Sequence, residues 1–174
     1  MDRVLVAGIS GAGKTTLAQT LSDRLGLQHY ELDALCHGSG WTKRLTFESD
    51  VYSFSGQRRW VTEDSYHSFL GELLWQRADT LIWLDLPRYT VMRRVLHRSI
   101  IRAAMQQELW NGNYETWRGW IKPDHPIRWA WSQFDLHRKQ TADRLTRHPH
   151  LMAIHLRSIR EANRWLATIV DDRK

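Results

Sequence analysis

Short apolar runs alternate along this chain with longer segments in which apolar residues recur at helical spacing. The runs predict five β-strands, at Arg3–Ala7, Leu27–Leu32, Trp60–Thr62, Thr80–Leu84 and Leu151–Leu156. Between them, apolar residues at intervals of three and four predict helices. Because strands alternate with helices and are apolar almost throughout, we predict an α/β fold of three layers, a parallel sheet with helices on both faces.

The second half of the chain carries clear signals for where helices begin and end. Pro87 suits the first turn of a helix from Arg88 to about Ala104. A loop or mobile cover is expected over 111–126, and a helix from about Ile127 to Leu145. Ser158 and Glu161 have the spacing of a capping box and therefore predict the start of the last helix.

Length and composition add limits to this picture. The chain has 174 residues, enough for one domain with its own core, and we expect a single domain over 1–174. Cys36 is the only cysteine, which excludes an internal disulfide and favours a reducing compartment. No apolar run is long enough to span a bilayer, and the apolar stretch at the N-terminus is too short for a signal peptide. We therefore expect a soluble, cytoplasmic protein with no membrane contact.

The segment after the first predicted strand fits a phosphate-binding loop. Gly8 to Thr15 matches G-x-x-x-x-G-K-[ST] at every fixed position, between a strand and a helix as the motif requires. The backbone N–H groups and the helix N-terminus bind phosphate, Lys14 reaches the β- and γ-phosphates, and the Thr15 hydroxyl is a ligand for Mg²⁺. The residues predicted to bind ATP here are Gly8, Ser10, Gly11, Ala12, Gly13, Lys14, Thr15 and Thr16.

A P-loop by itself does not separate a kinase from a GTPase, an ATPase motor or a switch protein. The chain is too short to hold the additional sensor elements of a motor. It also lacks the Asn-Lys-x-Asp sequence with which G-proteins recognise guanine. Both observations favour a kinase.

Carboxylates follow the second and third predicted strands, at the sheet edge where ligands bind in such folds. Asp33 is predicted to end the second strand and to act on the acceptor, as a catalytic and substrate-binding residue. Glu63 ends the third strand and is predicted to bind substrate and Mg²⁺, with Asp64 as the alternative for the metal. The competing interpretation is that these acids cap the next element or pair with arginines.

Arg94, Arg98 and Arg102 recur every four residues and so share one face of a helix. Like charges in a row are unfavourable unless an anion lies opposite, as it does beneath the lid of a kinase. We predict an arginine-rich lid at about 98–126, with Arg98 and Arg102 catalytic and Arg94 binding substrate. The alternatives are a solvated basic face or contacts with nucleic-acid phosphates, because residues 88–147 hold 12 Lys/Arg and 5 Asp/Glu. Tryptophans within this segment could stack a base or only pack the lid: Trp110, Trp117 and Trp120.

With these features in view, the sequence resembles the adenylate-kinase-like P-loop proteins called topology modulation proteins. The resemblance covers nearly the whole chain and is carried by Gly8–Thr15, Tyr30–Leu35, Gly40-Trp41, Trp60–Tyr66, Ala78–Arg88, Glu108–Asn113 and Leu156–Ser158. It implies strand order 2-3-1-4-5, a lid after the fourth strand, and adenine near Arg157 and Ser158. Members of that family usually carry Asp-Gly-Asn-Tyr where this chain has Glu63-Asp64-Ser65-Tyr66.

These patterns predict an ATP- and Mg²⁺-dependent phosphotransferase whose acceptor is a small molecule, nucleoside- or nucleotide-like or another hydroxyl compound. The main alternative is a nucleic-acid-associated NTPase, related to DNA topology, that binds phosphates through the basic segment 88–147. A weaker one is a nucleotide sensor with little catalytic activity. The sequence identifies neither the acceptor nor the oligomeric state.

Overall fold

The five predicted strands form one parallel sheet. The structure is a computed structural model that describes residues 1–105 and 126–169, and its description of side chains leaves out 102–105 and 126–130. The strands are β1 (Arg3–Ala7), β2 (Gln28–Tyr30), β3 (Trp60–Glu63), β4 (Thr80–Leu84) and β5 (Met152–Leu156). Their order is β2-β3-β1-β4-β5 and every pair is parallel, which confirms the predicted architecture and strand order.

Helices cover both faces of this sheet. The helices of the described residues are α1 (Lys14–Leu25), α2 (Leu32–Cys36), α3 (Phe47–Ser55), α4 (His67–Leu70), α5 (Leu73–Arg77), α6 (Arg88–Met105), α7 (Pro126–Arg147) and α8 (Ile159–Thr168). A single 3₁₀ turn, Ser39–Trp41, lies between α2 and α3. No helix in the part of the chain that the structure describes is both long enough and apolar enough to cross a membrane.

Side chains of β1 show how the sheet separates two apolar layers. Val4 and Val6 face the layer that includes α1 and α8, whereas Leu5 and Ala7 face the layer that includes α3 and α5. All four side chains are fully buried, as alternation on a central parallel strand requires. β1 is therefore anchored on both faces, and the loop that follows it starts from a rigid position.

A third, smaller cluster joins the P-loop to the basic half of the chain. It contains Ile9 of the loop, Leu86 after β4, Val91 and Val95 of α6, and Phe134 of α7. This packing holds the first turns of α6 against the P-loop. The arginines of α6 therefore extend from a helix whose position relative to the loop is fixed.

Two predicted elements differ from the structure. The second strand ends at Tyr30, and Asp33 lies in the first turn of α2 instead of ending a strand. The reason is that β2 is an edge strand paired with β3 over only three residues, after which Leu32 turns into the core. The helix predicted between the third and fourth strands is two short helices, α4 and α5, because Gly71 has a positive φ of 54° and interrupts the turn.

Other expectations have mixed outcomes. The capping box is confirmed, since Glu161 N–H donates to Ser158 Oγ at 3.1 Å and Arg157 N–H donates to Glu161 Oε2 at 2.7 Å. Most of the predicted lid lies outside the described residues, which stop at 105 and resume at 126. Three of its tryptophans lie outside them as well: Trp110, Trp117 and Trp120.

Candidate active site

The P-loop connects β1 to α1 with a backbone that depends on glycine. Gly11 has a φ of 86° and Gly13 a φ of 100°, both in the left-handed region that disfavours a side chain. Gly13 also precedes the first residue of α1, so the free N–H groups of that helix point into the loop. Free N–H groups at a helix N-terminus favour bound anions, and the loop therefore has the geometry of a phosphate site.

Lys14 lies across the inside of this loop. Its Nζ donates a hydrogen bond to the Gly8 carbonyl at 2.7 Å. Burial lowers the pKa of the Lys14 ammonium from its ordinary value, and the nearby carboxylates of Asp33, Asp64 and Glu63 act in the opposite direction. The lysine is thus within the electrostatic reach of all three predicted acids.

Two arginines of α6 contact the same loop. Arg94 Nη1 donates to the Ala12 carbonyl at 3.0 Å, and Arg98 Nη2 lies 3.3 Å from Ser10 Oγ. The structure thus brings the predicted arginine face against the P-loop. The third member, Arg102, belongs to α6, but its side chain lies outside the described ones.

A cavity of about 990 Å³ opens beside the loop and brings most of the predicted site residues together. One side is formed by the P-loop and α6: Gly8, Ser10, Gly11, Gly13, Lys14, Thr15, Thr16, Arg94 and Arg98. The other polar lining residues are acids, hydroxyls, histidines and an amide: Glu31, Asp33, Glu63, Asp64, Ser65, Tyr66, His67, Ser68, His137 and Gln140. Ala12, also predicted to bind nucleotide, is buried and contributes its carbonyl to Arg94.

The two predicted metal-side acids differ in their surroundings. Glu63 is buried, and its Oε1 lies 3.1 Å from Nε2 of His29 on the neighbouring strand β2. Asp64 is buried as well, and its Oδ1 accepts a hydrogen bond from Trp75 Nε1 at 2.9 Å. Glu63 therefore already has a polar partner within the fold, the His29 ring.

The second oxygen of Asp64 has a different environment. Oδ2 accepts no hydrogen bond from the described residues and lies 3.5 Å from His67 Nε2. Burial raises the pKa of the Asp64 carboxyl, although the His67 and Arg144 charges and the Trp75 hydrogen bond oppose that shift. A buried carboxylate oxygen without a donor is unfavourable unless a ligand binds it.

The donor set fits a magnesium ion that shares its coordination with nucleotide phosphates. Thr15, Glu63 and Asp64 offer oxygen, which Mg²⁺ prefers, and all three residues line the cavity. Within 1–105 and 126–169, no group of three or more His, Cys, Asp or Glu could hold a metal by itself. One or two carboxylates completed by phosphates is the usual arrangement for Mg²⁺.

Several residues of this cavity were not predicted from the sequence. His67, the first residue of α4, lines the cavity, and burial lowers its pKa. His137 and Gln140 come from α7, and burial lowers the pKa of His137 to about 4. Nothing local marks His137 or Gln140, because they reach the site only through the packing of α7 on α6.

Arg157 and Ser158, which were predicted near adenine, are not among the residues that line this cavity. The Arg157 side chain is exposed at the end of β5, and its backbone N–H belongs to the capping box of α8.

Asp85, at the end of β4, binds Arg138 of α7 at 2.9 Å and His155 of β5 at 2.9 Å. These contacts tie β4, β5 and α7 together beside the P-loop.

The fold is shared with several small-molecule kinases of known structure. A shikimate kinase from Acinetobacter baumannii, in complex with shikimate, superposes with a TM-score of 0.55 and 17% identity, covering 97% of this chain and 90% of that one. For a shikimate kinase from Bacteroides thetaiotaomicron the values are 0.56, 12%, 95% and 94%. For a gluconokinase from Sinorhizobium meliloti they are 0.51, 15%, 98% and 94%.

Sequence comparison adds nothing to this structural likeness. No protein-family model matches the chain, and no curated protein matches it either. The similarity to topology modulation proteins is therefore not confirmed. At 12–17% identity the structural neighbours establish the fold, an α/β P-loop fold of the kind found in kinases.

Proposed function

We propose that this protein transfers the γ-phosphate of ATP to a hydroxyl group of a small molecule. The observation that carries the proposal is the cavity in which Lys14 of the P-loop faces Asp33 of α2. One side of that cavity suits a triphosphate and the other suits a polar acceptor. Kinases of this fold act on shikimate and on gluconate, which supports the same reaction class here.

In the proposed reaction, the oxygen of the acceptor hydroxyl forms a bond to the γ-phosphorus. As it does so, Asp33 takes the proton from that hydroxyl. The bond between that phosphorus and the bridging oxygen breaks, and the electron pair leaves with ADP. Lys14 and Arg98 neutralise charge on the phosphoryl group during transfer, and Arg102 is proposed to join them from the lid at about 98–126. Arg94 holds the P-loop and would contact the transferred phosphate.

Mg²⁺ would be held by the Thr15 hydroxyl together with Glu63 or Asp64, and when bound it neutralises the β- and γ-phosphates. Gly8 to Thr16 would bind the phosphates of ATP through the loop and the start of α1. Arg157 would lie towards the base. The proposed catalytic unit is the single domain 1–174.

The experiment is a screen of γ-phosphate transfer from labelled ATP to nucleosides, nucleotides, shikimate, gluconate and small polyols. Lys14→Ala should abolish transfer, because the lysine is the residue that reaches the transferred phosphate. Asp33→Asn should lower kcat with little effect on ATP binding. Lys139→Ala is the matched control, since that lysine of α7 is exposed outside the cavity. Full activity of the Lys14 variant would refute the assignment.

The nucleic-acid alternative has less support from the described residues. Two arginines of the basic segment, Arg94 and Arg98, are directed at the P-loop and not at a separate surface. A nucleic-acid-binding NTPase would show affinity that falls steeply with salt concentration. Absence of DNA and RNA binding at low salt would exclude it.

A further inference from the structure

Tyr66 has an unusual backbone conformation next to the proposed acceptor site. Its φ is 60° and its ψ is 36°, in the left-handed region, where it precedes α4. Among the residues that the structure describes, Trp41 is the other non-glycine with positive φ, also 60°. Such conformations are unfavourable for residues with a β-carbon, and they cluster at functional sites.

The unusual backbone places the Tyr66 hydroxyl between two polar side chains. The hydroxyl donates to Asp33 Oδ1 at 2.6 Å, and its oxygen lies 2.9 Å from Nε2 of His37. A phenol has one proton to donate, so with that proton on Asp33 the imidazole Nε2–H is the donor to the phenol oxygen. The result is a directed chain from His37 through Tyr66 to Asp33.

The Tyr66 ring is held in place by aromatic contacts. Phe47 packs edge-on against it with ring centroids 5.1 Å apart, and the His37 ring lies 6.0 Å away. His37 in turn packs edge-on against Trp41 at 5.2 Å, which links the two left-handed residues through one imidazole. Burial, followed by the charge of Asp33, raises the pKa of Tyr66, so the phenol keeps its proton.

Asp33 is left with one oxygen engaged and one open. Oδ1 accepts the bond from Tyr66, whereas Oδ2 accepts none from the described residues, and the side chain lines the cavity that contains Lys14. The last torsion of an aspartate is broad, so a carboxylate bound by nothing would rotate. A short bond to one oxygen fixes where the other one points.

We propose that Tyr66 is a positioning residue for phosphoryl transfer, which orients the Asp33 carboxylate so that Oδ2 meets the acceptor hydroxyl. His37 completes the unit by fixing the tyrosine. The proposal rests on the proposed kinase function. The acceptor proton moves to Oδ2 as the acceptor oxygen binds phosphorus, and the Tyr66 proton stays on its own oxygen throughout.

The kinetic test is a double-mutant cycle on the full chain with Tyr66→Phe, Asp33→Asn and both together. Tyr66→Phe should lower kcat about 10- to 100-fold, the range typical of groups that orient a reacting ligand, with the KM for ATP unchanged. If Tyr66 acts through Asp33, the double variant should be no slower than Asp33→Asn alone. Tyr89→Phe is the control, because Tyr89 is 77% exposed on α6. Losses that multiply in the double variant would overturn the proposal.

A second measurement needs no turnover. In protein labelled with ¹³C at aspartate carboxyls, the Asp33 resonance, assigned with Asp33→Asn, should move in Tyr66→Phe and stay in Tyr89→Phe. If wild type transfers phosphate but this resonance does not move, the positioning role is wrong and the kinase function stands. If wild type transfers phosphate to none of the tested acceptors, the function is wrong, and the positioning role fails with it whatever the resonance does.

Discussion

A β-carbon added to Gly11 would lie 2.2 Å from Cγ2 of Val95. The P-loop and α6 therefore touch with no space between them, at the point where the loop would surround a phosphate. The Val95 side chain is fully buried. This contact positions two arginines of α6 on the loop. They are Arg94, one residue before Val95, and Arg98, three residues after it.

Because of this contact, Gly11→Ala should destabilise the protein and Val95→Ala should partly restore it. The overlap is expected to cost about 1–3 kcal/mol, and the positive φ at Gly11 adds about 1–2 kcal/mol that Val95→Ala does not relieve. Urea unfolding of both single variants and the double variant gives the coupling energy. Leu96→Ala, at an exposed position of α6, is the control and should add to Gly11→Ala within about 0.5 kcal/mol. Additivity of Gly11→Ala with Val95→Ala would contradict the contact.

Arg94→Ala should weaken ATP binding, whereas Arg93→Ala should not. Arg94 donates to the Ala12 carbonyl, and Arg93 is exposed one position further round the helix. The bond exists without ATP and acts by holding the loop in place for the phosphates; removing a contact that positions a ligand-binding group costs about 10- to 100-fold in affinity, so a loss of about tenfold is expected. Titration with a fluorescent ATP analogue measures both variants. Equal losses would mean that net charge, and not this contact, supports the nucleotide site.

The strands of the sheet and the P-loop were predicted well because each depends on residues that are close together in the sequence. The strands follow from local apolar runs and the loop from one motif, whereas the strand order was implied by the family resemblance. Asp33 was placed at the correct edge but on the wrong element, since three residues of edge pairing do not extend a strand to 33. Contacts between distant segments were not predicted: the hydroxyl of Tyr66 on Asp33, His29 on Glu63, and the cavity wall from α7.

Stability should fall in acid partly because of His137. Burial lowers its pKa to about 4, and the positive charges of Lys14, His67 and Arg144 act in the same direction. The unfolded chain takes up this proton near the ordinary value of 6.5, while the folded protein does so only near 4. The stabilisation is therefore complete above about pH 6.5 and is lost as pH falls through about 4, by about 3 kcal/mol before solvent screening reduces it.

His137→Gln should remove that part of the pH dependence. Urea unfolding at about pH 7.5 and about pH 4.5 should show a smaller difference in the free energy of unfolding for the variant than for wild type. His150→Gln is the matched control, because His150 is exposed after α7. An unchanged pH dependence in His137→Gln would mean that other groups account for acid unfolding.

Glu63 and Asp64 offer a direct comparison of two neighbouring acids towards Mg²⁺. His29 Nε2 is within hydrogen-bond distance of Glu63 Oε1, at 3.1 Å, whereas Oδ2 of Asp64 accepts no hydrogen bond from the described residues. A buried oxygen that accepts no hydrogen bond gains more from a metal or its bound water than one that must first give up a hydrogen bond. Asp64→Asn should therefore raise the Mg²⁺ concentration needed for ADP binding by about tenfold or more, and Glu63→Gln by less. Both substitutions remove one charge and change the size of the side chain little, so calorimetry of ADP binding across a Mg²⁺ series compares them directly. A larger effect of Glu63→Gln would assign the metal to Glu63, and would mean that His29 orients that carboxylate instead of occupying it.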